Sequence, residues 1–169
     1  QLPSRGIVFN VSGRNMAGAD AGSNSFSSYE GSLSLYQSFQ APARIVFAAR
    51  VGAGLNRGDY EFYQAQILDG KTELRGFRKT RFYGDRKFYT NLEMRVKLLN
   101  IRTYLFPASL GVLGFHDFGR VWYKDENGED PTAPSGKSNA WHKGWGGGIW
   151  FTPFNLTVLS VEAGHSDEG

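Results

Sequence analysis

Cysteine is absent from the 169 residues. A disulfide scaffold, a zinc–thiolate centre, an iron–sulfur cluster and a cysteine nucleophile are therefore excluded. Its absence does not identify a compartment. No stretch approaches the ~18 consecutive apolar residues of a membrane-spanning helix. A helical membrane protein is thus excluded, whereas a membrane barrel, which crosses with strands, is not. Histidine occurs only three times, at His116, His142 and His165, with no HExxH or other short metal spacing. Neither GxSxG nor GxxxxGK[ST] is present. The expectation is a protein that is not an enzyme, with no metal and no cofactor. An initiator methionine and a signal-peptide pattern are also missing, so the chain is expected to be a mature form or a fragment.

What is present is aromatic residues and glycine: 13 Phe, 8 Tyr, 4 Trp and 22 Gly. That aromatic content speaks against a wholly disordered chain, and the length suits one domain. The formal charge is +3, and the excess is local. Residues 71–97 hold nine basic side chains against three acids, a net +6, which leaves the rest at −3. With Phe77, Phe82, Tyr83, Phe88 and Tyr89 among them, this window has the ingredients of a single-strand nucleic-acid site. Confinement of the charge to one segment between strands fits a lumen plug or contact with lipopolysaccharide better, and no nucleic-acid partner is expected.

Alternation dominates the chain. In residues 87–99, Phe88, Thr90, Leu92, Met94, Val96 and Leu98 alternate with Lys87, Tyr89, Asn91, Glu93, Arg95 and Lys97. A period of two sends these sets to opposite faces of a sheet. The same pattern sets Tyr29, Leu33, Leu35 and Phe39 against Glu30, Ser32, Ser34 and Ser38 in 27–39. It recurs in 43–54 and 155–165, and more weakly in 5–13, 109–123 and 143–152. Seven strands are predicted. The links between them alternate in length: 15–26 long, 40–42 short, 55–86 very long, 100–108 intermediate, 124–142 long and 153–154 short. Short turns at one end and long loops at the other are the pattern of an up-and-down outer-membrane barrel. A water-soluble sandwich alternates too, but with its apolar face inward. Polar faces of mixed Arg, Glu, Asn, Ser and Gly, and aromatics near strand ends, favour the membrane barrel.

Two short motifs fall on this framework. Leu74-Arg75-Gly76-Phe77 lies in the longest loop, where Gly76 permits a tight turn and Arg75 offers a planar fork for carboxylates. On spacing alone, a solvated basic loop explains it better. Phe115, Asp117 and Gly119 stand at alternate positions of the fifth strand. An aspartate in mid-strand is disfavoured unless paired, and glycine two residues on lets a neighbour approach. Glu93 on the fourth strand is a second carboxylate of the same kind, and Arg75 is the cation that the pair requires. Gly144, Gly146, Gly147 and Gly148 are read as close packing on a strand. The acidic residues 125–130 lack the spacing of a calcium loop and are read as a solvated loop.

These motifs resemble those of the BamA/TpsB superfamily of outer-membrane barrels, the bacterial surface antigen family. Leu74-Arg75-Gly76-Phe77 is similar to its VRGF/Y loop motif, with Leu for Val, and Phe115 to Gly119 is similar to its FxDxG strand motif. The motifs also fall in the family's order, so the whole chain resembles strands nine to fifteen of a sixteen-stranded barrel. The resemblance implies an all-β, antiparallel, up-and-down transmembrane β-barrel, represented over residues 1–169 by its C-terminal half. About seven strands would be seen and the last would be missing. It implies that loop 55–86 folds into the lumen, where Arg75 pairs with Asp117 and Glu93. It further implies a cell outer membrane location in a Gram-negative bacterium. The partners would be outer-membrane lipid and lipopolysaccharide, unfolded outer-membrane or secreted client proteins, and the parent chain's remaining strands and periplasmic domains. The expected function is protein insertion or translocation at the outer membrane. The alternatives are a barrel that anchors or exports a fused enzyme domain, and a small soluble lipocalin-like ligand-binding barrel.

Overall fold

The computed structural model describes residues 5–18, 25–40, 43–79, 81–123, 140–154 and 156–166. The acidic stretch 125–130 and residues 167–169 lie outside them. Among the described residues nine strands form: β1 (Gly6–Met16), β2 (Phe26–Gln40), β3 (Arg44–Gly58), β4 (Gln66–Leu68), β5 (Phe82–Gly84), β6 (Arg86–Ile101), β7 (Ala108–Trp122), β8 (His142–Pro153) and β9 (Leu159–Ser166). Seven of them pair in one antiparallel sheet in the order β1-β2-β3-β6-β7-β8-β9. β4 and β5 pair separately, inside the long connection from β3 to β6. Among the described residues the only helical turn is a 3₁₀ turn at Phe62–Gln64, and no helix is long and apolar enough to cross a membrane. The fold is therefore all-β and up-and-down, a wall of the kind that makes part of a barrel.

The two faces of this wall have unequal cover. On β6, Lys87, Tyr89 and Asn91 are buried, whereas Leu92 and Met94 on the other face are 45% and 43% exposed. On β2, Ser34 is buried while Tyr29, Leu35 and Phe39 are exposed. Phe47 and Val51 on β3, and Ile149 and Val161 on β8 and β9, continue the exposed apolar side. A water-soluble sandwich or lipocalin-like barrel buries its apolar face and wets its polar one. This sheet does the reverse, because the connection between β3 and β6 folds back onto the polar face.

Strand registers align the residues that matter. One cross-strand row runs Ala48, Glu93, Phe115, Gly146 and Gly164, and the next runs Arg50, Asn91, Asp117, Gly144 and Ser166. Strand limits differ from the sequence expectation at β1, which runs three residues further, to Met16, and at β3 and β9. β3 continues four residues past the predicted end, to Gly58, whose φ of 95° suits glycine and ends the strand. β9 begins at Leu159, because a turn intervenes, in which the Leu156 N–H donates to the Pro153 carbonyl and Phe154 has φ 53°. Between Lys97 and Leu99 the β6–β7 register slips. This bulge leaves both Leu98 and Leu99 exposed and ends the strict alternation there.

Candidate functional site

The connection between β3 and β6 is closed at its base by strand-like bonds. The Asn56 N–H donates to the Asp85 carbonyl and the Asp85 N–H to the Trp122 carbonyl, each at 2.8 Å. The Tyr60 hydroxyl donates to the Asp85 carboxylate. Burial, reinforced by that bond and by the Asp85 charge, pushes the Tyr60 hydroxyl above its ordinary pKa. The tip is a compact turn. The Asp69 carbonyl accepts the N–H groups of Glu73 and Leu74, both at 2.9 Å. The Asp69 carboxylate accepts the Thr72 N–H and hydroxyl, the local bonding by which aspartate starts turns.

Each residue of the loop motif has a separate destination. Leu74 is fully buried and Phe77 nearly so, in an apolar cluster with Leu68, Phe82, Tyr89 and Val121. The His142 ring closes this cluster by stacking on Phe82 at 3.7 Å. Gly76 has φ 98°, and a Cβ there would stand 2.7 Å from the His165 carbonyl oxygen. Arg75 points across the polar face. Its backbone N–H and Nε donate to Asp117 Oδ2 at 3.0 and 2.8 Å, and Nη2 donates to Oδ1 at 3.0 Å. Nη1 donates to Glu93 Oε2 at 2.5 Å. The guanidinium lies 3.8 Å from the centre of the Phe115 ring. Asp117 is completely buried. Burial alone would lower the pKa of Arg75, but the bonds and charges of Asp117 and Glu93 outweigh it and hold the pKa above its ordinary value.

The spacing of the strand motif follows from the pleat. Phe115, Asp117 and Gly119 share the loop-facing side of β7 because they are two residues apart. Phe115 supplies the ring under the guanidinium, and Asp117 supplies the acceptor. Gly119 leaves room for Leu68, since a Cβ there would lie 2.5 Å from Leu68 Cδ2. The glycines of β8 serve the same docking. A Cβ on Gly144 would fall 1.9 Å from the Arg75 carbonyl oxygen, and one on Gly146 would fall 2.7 Å from the Phe115 ring. On β9, a Cβ on Gly164 would meet the Gly76 nitrogen at 3.0 Å. The loop tip therefore sits on a glycine seat.

The residues singled out from the sequence thus meet at one place, apart from Leu74 and Phe77, which anchor the tip in the adjoining cluster, and Gly119, which faces Leu68 of that cluster. Sequence reasoning missed Glu162 on β9, whose Oε2 lies 3.6 Å from Arg75 Nη1. It also missed Glu73, Lys87 and Asn91, which hold the tip from the other side. Alternation puts Lys87, Asn91 and Glu93 on one side of the same strand, but it does not say which loop atoms they meet. The three histidines pack against rings, His116 on Phe118, His142 on Phe82 and His165 on Trp145.

An antiparallel wall whose polar side grips its own long loop through an arginine and two strand carboxylates is consistent with one class: a partial β-barrel with a loop docked on its polar face. A family model, the Omp85 superfamily domain, matches residues 1–161, and the chain belongs to the Omp85 superfamily. Members are outer-membrane proteins of Gram-negative bacteria, generally engaged in outer-membrane protein assembly or translocation. No curated protein and no solved structure matches the chain.

Proposed function

We propose that this chain is the C-terminal part of a membrane-spanning barrel in the Gram-negative outer membrane, which inserts client proteins into that membrane or moves them across it. The role is not enzymatic. The exposed apolar face meets lipid, and the polar face lines a lumen in which residues 55–86 act as a held plug. The observation that carries this reading is the partly buried Arg75 fork on the fully buried Asp117 and on Glu93. Removing one partner of such a pair strands the other, so the arrangement makes a loop position that is either occupied or vacated. The clients are unfolded outer-membrane or secreted proteins, and the partners in the parent chain are its remaining strands, which complete the barrel, and its periplasmic domains.

Depletion of the full-length parent in its own host tests this. The expected result is loss of folded outer-membrane proteins or of a secreted protein, with unfolded client accumulating in the periplasm. Normal membrane and secreted proteomes after depletion would contradict it. Loss of one enzymatic activity alone would favour a barrel that anchors or exports a fused enzyme.

A further inference from the structure

A second charged contact lies on the opposite flank of the loop tip, and its polarity is reversed. Here the wall supplies the cation and the loop the anion. Lys87 of β6 is 7% exposed, and its Nζ donates to Glu73 Oε1 at 2.9 Å and to the Ile67 carbonyl at 3.1 Å. Glu30 of β2 stands 3.6 Å from the same nitrogen. The other Glu73 oxygen accepts the Asp69 N–H at 2.9 Å, and Asn91 Nδ2 donates to the Glu73 carbonyl at 2.9 Å. Gly54 leaves space for the lysine stem, since a Cβ there would come within 3.0 Å of Lys87 Cε. Glu73 is buried as well. None of these bonds uses an atom of Arg75, Asp117 or Glu93.

We propose that Lys87 and Glu73 form a second latch, which positions the loop tip independently of Arg75 and sets its register on the wall. The proposal rests on reading residues 55–86 as a plug held by Arg75. Glu73 and Arg75 are two residues apart on the loop and opposite in sign. Lys87 and Glu93 are six residues apart on β6, about 20 Å along a strand, and also opposite in sign. Sliding the tip toward Lys87 brings Arg75 against a cation, and sliding it away brings Glu73 toward Glu93 and Asp117. Only one position satisfies both pairs, and a buried charge left unpaired is costly. The loop therefore has a half-released state, in which Arg75 is free while the tip stays docked through Glu73 and the Leu74–Phe77 cluster.

Limited trypsin digestion of the full-length parent in outer-membrane vesicles reads this out. Cleavage after Arg78, an exposed loop residue, tracks the open population when closing outruns cutting. Glu73→Gln and Lys87→Met should each speed cleavage roughly 10-fold, and either combined with Arg75→Ala should speed it roughly 10-fold beyond Arg75→Ala alone, because an uncompensated buried charge favours opening. Lys87→Arg should keep protection near native, which a purely steric role for the lysine would not predict. Native protection in both Glu73→Gln and Lys87→Met would overturn the latch. So would a double variant cleaved no faster than Arg75→Ala alone. Heat-modifiable mobility reports barrel formation in each variant. If Lys87→Met fails to form the barrel, Glu73→Gln decides, since it alters the loop and no strand. A native loop cleaved as fast as the double variant would instead sink the plug reading on which the latch rests.

Discussion

Arg75→Ala is expected to destabilise the docked loop by ~3–5 kcal/mol and to abolish most activity of the parent protein. The magnitude comes from what is left behind. Asp117 has no exposure to water, and all three of its bonds from Arg75 would be lost or weakened at once. Glu93 would keep Arg95 as a partner, so Asp117 is the stranded group. Arg75→Lys should recover only part, since an ammonium cannot make the parallel fork to both carboxylate oxygens. Exchanging the charges, Arg75→Asp with Asp117→Arg, should not rescue, because Asp at 75 would face Glu93 and Glu162. Asp117→Asn on the Arg75→Ala background should recover part of the loss by removing the stranded charge. Urea or thermal unfolding of the loop, followed by protease sensitivity, measures the order native, Lys, Ala with Asn, Ala. A full rescue by the charge exchange would show that the geometry around Arg75 is not what holds it.

The second large effect is expected from Gly144→Ala. The added Cβ would meet the Arg75 carbonyl oxygen at 1.9 Å, a backbone atom that cannot rotate away. Gly144 has no unusual φ, so β8 itself tolerates alanine, and only the seat of the loop tip is lost. Overpacking of this kind costs ~1–3 kcal/mol, and here it acts directly on the Arg75 position. Gly114→Ala on β7 is the matched control, because its nearest neighbour would be a carbonyl oxygen at an ordinary 3.8 Å. Protection of the loop should fall in the first variant and stay native in the second. Equal behaviour of the two would mean that the glycine seat does not position the tip.

The seven wall strands were legible because one period governs their whole length, and a wall that is polar on one side and apolar on the other keeps that period clean. Ser109 and Lys143, at the starts of two weaker segments, fall within a residue of where β7 and β8 begin. The β4–β5 pair was not legible, since three residues carry no periodicity. Nor was the bulge at Lys97–Leu99, where the composition stays apolar while the register changes. At the site, Arg75, Asp117 and Glu93 were reached through an unpaired strand aspartate and a motif resemblance. Glu162 and Lys87 were not, because their importance comes from which strands neighbour each other and from where the loop tip lands. Alternation assigns a side chain to a face, but it does not say which loop atom that face will meet.

The exposed apolar face, with Leu92, Met94 and Ile149 on it, is expected to meet lipid while the polar face encloses the loop. Fractionation of cells expressing the full-length parent, with gel mobility compared before and after boiling, tests it most directly. Recovery in the outer-membrane fraction is expected, with a heat-dependent shift from a compact to an unfolded band, which Arg75→Ala weakens. A parent found in the soluble fraction, with the same mobility boiled or unboiled, would contradict it.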